Sequence, residues 1–191
     1  MPETTRAFIA IELNASVHSE LSSLQSILKK SNADVKWVAA ESIHLTLKFL
    51  GNIDTQKINE IEKILNEIAT GVEPFVLTLK GIGAFPKLDY PRVIWVEVER
   101  GAPQSEQLAK SIEERLEGIG IPREDREFHA HITLGRVKSP KNTDKLKETI
   151  ESTKFEAESA VDVNHLTLFK SQLTRDGSIY TPLFIAKMKN A

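Results

Sequence analysis

Cysteine is missing from the 191 residues of this chain, which excludes disulfide bridges and thiolate zinc sites. Long apolar runs are missing too, and no stretch approaches the length needed to cross a bilayer. Positive charge is not in excess, because 25 Lys and Arg stand against 27 Asp and Glu for a formal net charge of −2. The chain therefore lacks the overall positive field of proteins that bind long duplex nucleic acid. A nucleotide or an RNA end remains compatible, since a few local cations suffice for one phosphate.

The remaining composition is that of an ordinary folded protein, with 40% hydrophobic and 27% charged residues. A length of 191 residues suits one domain, or one domain made of two lobes that share a cleft. Residues 1–6 have neither the basic start nor the apolar core of a signal peptide. We therefore expect a single bilobal domain over residues 1–191 that is cytoplasmic, has no membrane partner and is by default a monomer.

A short motif occurs once in each half of the chain, as His44-Leu-Thr-Leu47 and as His131-Ile-Thr-Leu134. In a strand, alternate side chains point to opposite faces, so each motif puts its histidine and threonine on one face and its aliphatic residues on the other. Histidine can give or take a proton near neutral pH, and threonine can hold an oxygen by a hydrogen bond. The repeat suggests one site built from both halves. The pattern alone leaves a purely structural role equally open.

Periodicity along the chain predicts an α+β fold with mostly antiparallel sheets. Amphipathic helices are predicted over 15–30, 55–70, 105–116 and 144–152. Strands are predicted over 6–13, 35–38, 44–50, 75–79, 93–98, 127–137, 155–161, 166–172 and 179–187. Gly51-Asn52 is expected to end a strand, residues 81–86 to form a loop, and Arg175-Asp176-Gly177 to turn a hairpin. No linker separates the halves, so two lobes are expected to press together around a cleft.

Two histidines on facing strands suit in-line displacement at phosphorus, in which one imidazole removes a proton from the attacking oxygen and the other protonates the leaving oxygen. Thr46 and Thr133 would then hold the non-bridging oxygens, where negative charge concentrates. Arg136 is the nearest additional cation. Strict alternation would turn Arg136 away from the His131 face, unless Gly135 allows a bulge that turns it back.

A metal site is the competing interpretation, because His129 and His131 are two apart on one strand. No acidic residue stands beside them at a ligand spacing and cysteine is absent, so metal is disfavoured and His129 is interpreted as a neighbour that shapes the cleft. Lys48 falls on the His44 face by alternation, where it either adds positive potential or is simply solvated. His165 is interpreted as structural or exposed.

Five segments, taken in order, resemble one known family. They are 6–13, 44–51, 81–86 with 91–95, 128–136, and 168–173 with 177–180. The set is similar to the RNA 2′,3′-cyclic phosphodiesterases, historically called 2′-5′ RNA ligases, of the 2H phosphoesterase superfamily. Ala130 departs from the pattern, since many relatives have proline before the second histidine. The resemblance implies a pseudo-twofold bilobal fold with two sheets flanking a central cleft and helices on the outside.

The resemblance also implies an activity, namely metal-independent and cofactor-free opening of a 2′,3′-cyclic phosphate, on an RNA end or a small cyclic nucleotide, to a 2′-phosphomonoester. His44 would be the general acid and His131 the general base, with Thr46, Thr133 and Arg136 binding the phosphate. Two alternatives stay open. One is reversible ligation of tRNA half-molecules into 2′-5′ linkages. The other is an RNA-end binding module without turnover, which has no need of two proton-transfer groups.

Overall fold

The computed structural model describes residues 3–174 and 177–191. Within those residues the chain forms four α-helices, which are α1 (Ala15–Lys29), α2 (Ile58–Thr70), α3 (Ala102–Glu117) and α4 (Thr143–Ser152). The same residues form ten strands, which are β1 (Thr4–Glu12), β2 (Val35–Trp37), β3 (His44–Asp54), β4 (Phe75–Leu77), β5 (Leu79–Phe85), β6 (Val93–Val98), β7 (His131–Val137), β8 (Val161–Val163), β9 (His165–Leu173) and β10 (Ser178–Lys187). Short 3-10 turns at Ala40–Ser42 and Thr55–Lys57 lead into β3 and α2.

Two four-stranded sheets carry the fold, and their paired strands are antiparallel. Their strand orders are β10-β9-β1-β3 and β2-β7-β6-β5, and β4 pairs with β8 as a separate small sheet. The first sheet takes two strands from each half of the sequence, and the second combines β2 and β5 of the first half with β7 of the second. The halves are therefore interlocked. The architecture confirms the predicted α+β fold with two antiparallel sheets.

The helices cover the outer faces of the sheets, as predicted. α2 packs on α3 and on β9 and β10, and α3 lies against β3. Asn14 begins α1 by accepting a hydrogen bond from the backbone N–H of Val17 at 3.0 Å. Gln25, which is buried on α1, donates hydrogen bonds to the carbonyls of Val38 at 2.8 Å and Leu134 at 2.9 Å, which ties the helix to β7. None of the helices described is long and apolar enough to span a membrane.

Two glycine-rich segments differ from the prediction. β3 does not end at Gly51-Asn52 but continues to Asp54, because Gly51 adopts a φ of +66° beside a bulge in the pairing with β1. The loop predicted over 81–86 is wrong, since these residues belong largely to β5. Gly83 is needed there because a Cβ at this position would lie 2.3 Å from Cζ2 of Trp95 on the neighbouring strand.

Strand limits in the second half also changed. The strand predicted over 127–137 begins only at His131, and the one predicted over 155–161 is displaced to Val161–Val163, where it pairs with β4. The hairpin between β9 and β10 is confirmed by the pairing of Leu173 with Ser178. Its predicted turn residues Arg175 and Asp176 lie outside the described residues.

Candidate active site

The two His-x-Thr motifs stand at the beginnings of β3 and β7, and these strands contact each other across the cleft between the sheets. His44 and Thr46 share one face of β3, and His131 and Thr133 share one face of β7. All four side chains are partly exposed. His44 also borders a cavity of about 440 Å³. The fold therefore places the two motifs on contacting strands of the two sheets, and their union in one site stays a prediction.

Each motif histidine is held by the same local hydrogen bond. Nδ1 of His44 lies 2.8 Å from the carbonyl oxygen of Ser42, and Nδ1 of His131 lies 2.6 Å from the carbonyl oxygen of His129. A carbonyl oxygen can only accept, so Nδ1 is the protonated nitrogen in both rings. Nε2 is then the atom that can take a proton from a ligand when the ring is neutral, or give one when the ring is charged.

Aromatic side chains fix the planes of both rings. The His44 ring stacks on Phe8 with centroids 4.7 Å apart, and Tyr180 meets it edge-on at 5.3 Å. On the other lobe, Phe85 meets the His131 ring edge-on at 5.0 Å. Such contacts are worth about 0.5–1.5 kcal/mol each beyond area burial, enough to favour one ring orientation.

Burial lowers the pKa of His44 from its ordinary value of 6.5. The hydrogen bond to Ser42 and the negative charge of Glu12 act in the opposite direction, and the charge of His18 adds to the lowering. The net direction is downward. Glu12 is thus a neighbour that favours the protonated form of His44.

Burial also lowers the pKa of His131, and the hydrogen bond to the His129 carbonyl opposes it. The charges of His129 and Arg136 push the pKa of His131 down further. Arg136 is thus a cationic neighbour that favours the neutral form of His131.

A bulge in β7 decides where Arg136 points. Trp95 of β6 pairs with Thr133, but the next residues to pair are Ile94 and Gly135, so Leu134 is left without a partner. Pairing then continues from Val93 to Arg136. Because residues 93 and 95 share a face of β6, Arg136 returns to the face of Thr133 and His131. The bulge anticipated at Gly135 is present, and it turns Arg136 to the strand face that carries His131 and Thr133.

A bulge at the same place in β3 overturns the prediction for Lys48. Leu47 is left without a partner, and Lys48 then pairs with Ile9 on the core face. The Lys48 side chain is 1% exposed, and its Nζ lies 2.6 Å from Oε1 of Glu113. Phe49, which strict alternation would bury, instead shares the His44 face and is 53% exposed. Lys48 therefore adds no cation to the cleft.

His129 lies at the cleft, where its ring is 6.0 Å from the His131 ring and 5.3 Å from Trp95. Across residues 3–174 and 177–191, no three His, Asp or Glu side chains form a group that could hold a metal ion. The contacts agree with the interpretation of His129 as a neighbour that shapes the cleft.

The duplicated architecture has a counterpart among known proteins. The LigT-like phosphoesterases match the chain twice, over residues 11–95 and over residues 96–180. The chain belongs to the LigT-like phosphoesterase family. This membership confirms the resemblance to 2H phosphoesterases that the ordered motifs indicated.

Individual members of the family are similar along their whole lengths. An RNA 2′,3′-cyclic phosphodiesterase of Methanothermobacter thermautotrophicus is 36% identical, covering 96% of this chain and 98% of that protein. One from Thermotoga maritima is 38% identical, covering 94% and 93%. Among solved structures, Escherichia coli LigT complexed with 3′-AMP superposes with a TM-score of 0.78 at 27% identity, covering 97% of this chain and 99% of that one. The likeness therefore extends over both lobes.

Glu12 is a residue that sequence reasoning about this LigT-like chain overlooked. It ends β1 directly across from His44 and lines the same cavity. A further signal was also present in the sequence, since residues 165–168 read His-Leu-Thr-Leu, a third copy of the motif. His165 was interpreted as structural or exposed, and it is partly exposed, with Nε2 3.1 Å from Oε2 of Glu12.

Proposed function

We propose that this LigT-like phosphoesterase hydrolyses 2′,3′-cyclic phosphates, at RNA ends or on small cyclic nucleotides, to 2′-phosphomonoesters. The observation that carries the proposal is the matched pair of imidazoles, one from each lobe. Each is fixed through Nδ1 to a backbone carbonyl, which leaves Nε2 for proton transfer. Relatives named RNA 2′,3′-cyclic phosphodiesterase, at 36% and 38% identity over nearly the whole chain, support the substrate class.

In the proposed reaction, a water oxygen attacks phosphorus in line with the bond to O3′. Nε2 of neutral His131 takes the proton from the water, and Nε2 of protonated His44 gives its proton to O3′ as the P–O3′ bond breaks. The products are a 2′-phosphomonoester and a free 3′-hydroxyl. Each proton transfer is typically worth about 10²- to 10⁴-fold in rate.

The assignment of acid and base follows from the charges around each ring. Glu12 favours the protonated form of His44, and Arg136 and His129 favour the neutral form of His131. An acid has to be protonated before the reaction and a base has to be neutral, so the neighbours support His44 as the acid and His131 as the base.

The remaining groups in the proposal bind the phosphate. Thr46 and Thr133 donate hydrogen bonds to the non-bridging oxygens from the same strand faces as the histidines. Arg136, which the bulge in β7 returns to this face, offers a guanidinium whose paired N–H groups match two phosphate oxygens. Charge develops on these oxygens in the transition state, so fixed donors there lower the barrier.

The test is to incubate the purified protein with 2′,3′-cyclic nucleotides, with and without a chelator, and to identify the product by phosphorus NMR. A 2′-phosphate formed equally in both conditions is expected. His44→Ala and His131→Ala are each expected to reduce turnover by at least about 10²-fold. Thr70→Val, at the exposed end of α2, is a control for the preparation and assay of variant proteins and is expected to keep its turnover. A 3′-phosphate product would refute the leaving group, and near-normal turnover of either histidine variant would refute the mechanism.

A further inference from the structure

Glu12 is the acidic residue directly opposite His44 in the sheet. It ends β1, pairs directly with His44 of β3, and lines the same cavity of about 440 Å³. Directly opposite residues in an antiparallel pair have Cα atoms about 4.5–5.5 Å apart, and their side chains leave the sheet on the same face. The carboxylate and the imidazole are therefore adjacent groups on one surface.

The Glu12 carboxylate is held by two donors from β9. The Thr167 hydroxyl donates a hydrogen bond to Oε2 at 2.6 Å, and Nε2 of His165 lies 3.1 Å from the same oxygen. Thr167 is fully buried, so its hydroxyl has a fixed position. Nδ1 of His165 lies 2.6 Å from Oδ1 of Asn164, so both ring nitrogens face acceptors. These two contacts hold the imidazole ring beside the Glu12 carboxylate.

His165 and Thr167 are the polar residues of the third His-x-Thr-x copy. β9 lies on one side of β1 and β3 on the other, so the third copy reaches Glu12 from the side opposite the first motif. The first two copies present their polar pairs to the cleft. The third directs both members of its pair to a carboxylate, which is a different use of the same pattern.

We propose that Glu12 is a positioning residue for the reaction, which keeps a fixed negative charge beside His44 so that this imidazole retains its proton until the leaving oxygen takes it. The third His-x-Thr copy holds the carboxylate in place for this purpose. The inference rests on the proposed function, in which His44 is the general acid.

Other titratable or charged groups also face His44 from the elements packed around it. They are His18 on α1, Glu41 on the 3-10 turn and Tyr180 on β10. The strand β7, which contacts β3, carries His131 and Arg136. Glu12 differs from Glu41 because it pairs directly with His44 in the sheet and is held by the buried Thr167 hydroxyl. Both carboxylates are exposed, but the position of the Glu12 carboxylate beside His44 is fixed by its hydrogen bond to Thr167.

The second lobe offers a matched comparison in Glu97, which pairs with His131 just as Glu12 pairs with His44. Glu97 is exposed, as Glu12 is, but on its flanking strand β5 the nearby residue is Gly81, where a Cβ would lie 4.0 Å from Oε2. The lobes thus share the acidic position, but the described donors that hold the carboxylate belong to the first lobe. Glu97→Gln removes the same charge from the equivalent place.

The experiment is an NMR titration of the His44 imidazole in the full-length protein, with the signal assigned by its loss in His44→Gln. Glu12→Gln is expected to lower the midpoint by about one pH unit, from one charge at cross-strand distance. Glu97→Gln is expected to leave the His44 midpoint unchanged. Glu12→Asp keeps the charge and is expected to leave the midpoint close to that of the unmutated protein. Thr167→Val, a change of similar shape, is expected to lower it by a smaller amount because the carboxylate loses its anchor.

The same variants have a kinetic readout. Since a general acid acts only when protonated, Glu12→Gln is expected to move the alkaline limb of kcat/KM to lower pH by the same amount, with about tenfold slower turnover above that limb. An unmoved His44 midpoint in a folded Glu12→Gln protein would overturn the inference, and an unmoved midpoint in Thr167→Val would overturn the part assigned to the third copy. The titration needs no turnover, so a failure of the proposed function would be seen separately, as absent hydrolysis by the unmutated protein.

Discussion

Removing the Glu113 carboxylate is expected to destabilise the protein far more than removing the ammonium group that it binds. Lys48 lies within the first motif strand and is 1% exposed, and Glu113 on α3 is 19% exposed. Nζ of Lys48 lies 2.6 Å from Oε1 of Glu113 and donates a second hydrogen bond to the carbonyl of Pro122 at 3.0 Å. The pair thus joins β3 to α3 and to the segment that leads towards the second motif.

The two changes differ because they leave different groups behind. Glu113→Ala leaves a buried ammonium with a single carbonyl partner, and breaking such a pair costs about 3–5 kcal/mol. Partial exposure of Glu113 admits some water, so we expect about 3 kcal/mol. Lys48→Met keeps an unbranched chain of similar length in the core and leaves a carboxylate that water can reach. We expect that change to cost about 1.5 kcal/mol or less.

Urea unfolding followed by circular dichroism at pH 7 measures both free energies. Asp89→Asn provides a control, because it breaks the exposed pair with Lys147 and is expected to cost less than about 1 kcal/mol. Lys48→Met is also expected to keep its kcat/KM, since Lys48 points away from the cleft. Equal destabilisation by Lys48→Met and Glu113→Ala, or loss of turnover in a folded Lys48→Met protein, would refute this reasoning.

Three further predictions concern the cleft. Burial lowers the pKa of both His44 and His131 from 6.5, so kcat/KM is expected to peak below pH 6.5. The kcat profile is expected to lie at higher pH than the kcat/KM profile, because a bound phosphate anion favours the imidazolium form. Steady-state rates measured across pH check both expectations. Arg136→Met is expected to lower kcat by about 10²- to 10³-fold in steady-state kinetics, and an unchanged kcat would contradict its role. Gly83→Ala is expected to cost about 1–3 kcal/mol in thermal or urea unfolding, because the new methyl group displaces the Trp95 indole.

Sequence patterns predicted most helices and strands because the spacing of apolar residues within a helix or strand reflects that element's own geometry. The helix beginning after Asn14 and the strand Val93–Val98 were predicted from such local signals, and the structure confirms both. The segment over residues 81–86 failed for the opposite reason. Its glycines suggest a loop, but Gly83 is small because an indole from the next strand lies over it, and that contact is a property of the packed sheet.

The candidate site was predictable to the extent that alternation holds. His44 and Thr46 precede the bulge in β3, and His131 and Thr133 precede the bulge in β7. Simple alternation along the strand therefore predicted correctly which side chains share a face. Lys48 lies beyond a bulge, and one unpaired residue reverses the face of everything after it. A bulge depends on the register between two strands, which the local pattern of either strand does not contain. Gly135 indicated a possible bulge in β7, whereas the equivalent position in β3 is Lys48 and gives no such indication.

The two bulges act on equivalent positions but deliver different side chains. In each motif the leucine that follows the threonine is left unpaired, and the residue two places later returns to the cleft face. In β7 that residue is Arg136, and in β3 it is Phe49. The repeat therefore duplicates the histidine and threonine pair, whereas the guanidinium belongs to the second motif strand. Both lobes place a glutamate opposite the motif histidine, but Thr167 holds Glu12 and Arg136 lies on the His131 face, so a nearly symmetric scaffold carries an asymmetric charge distribution. In the proposed reaction, this difference favours His44 as the acid and His131 as the base.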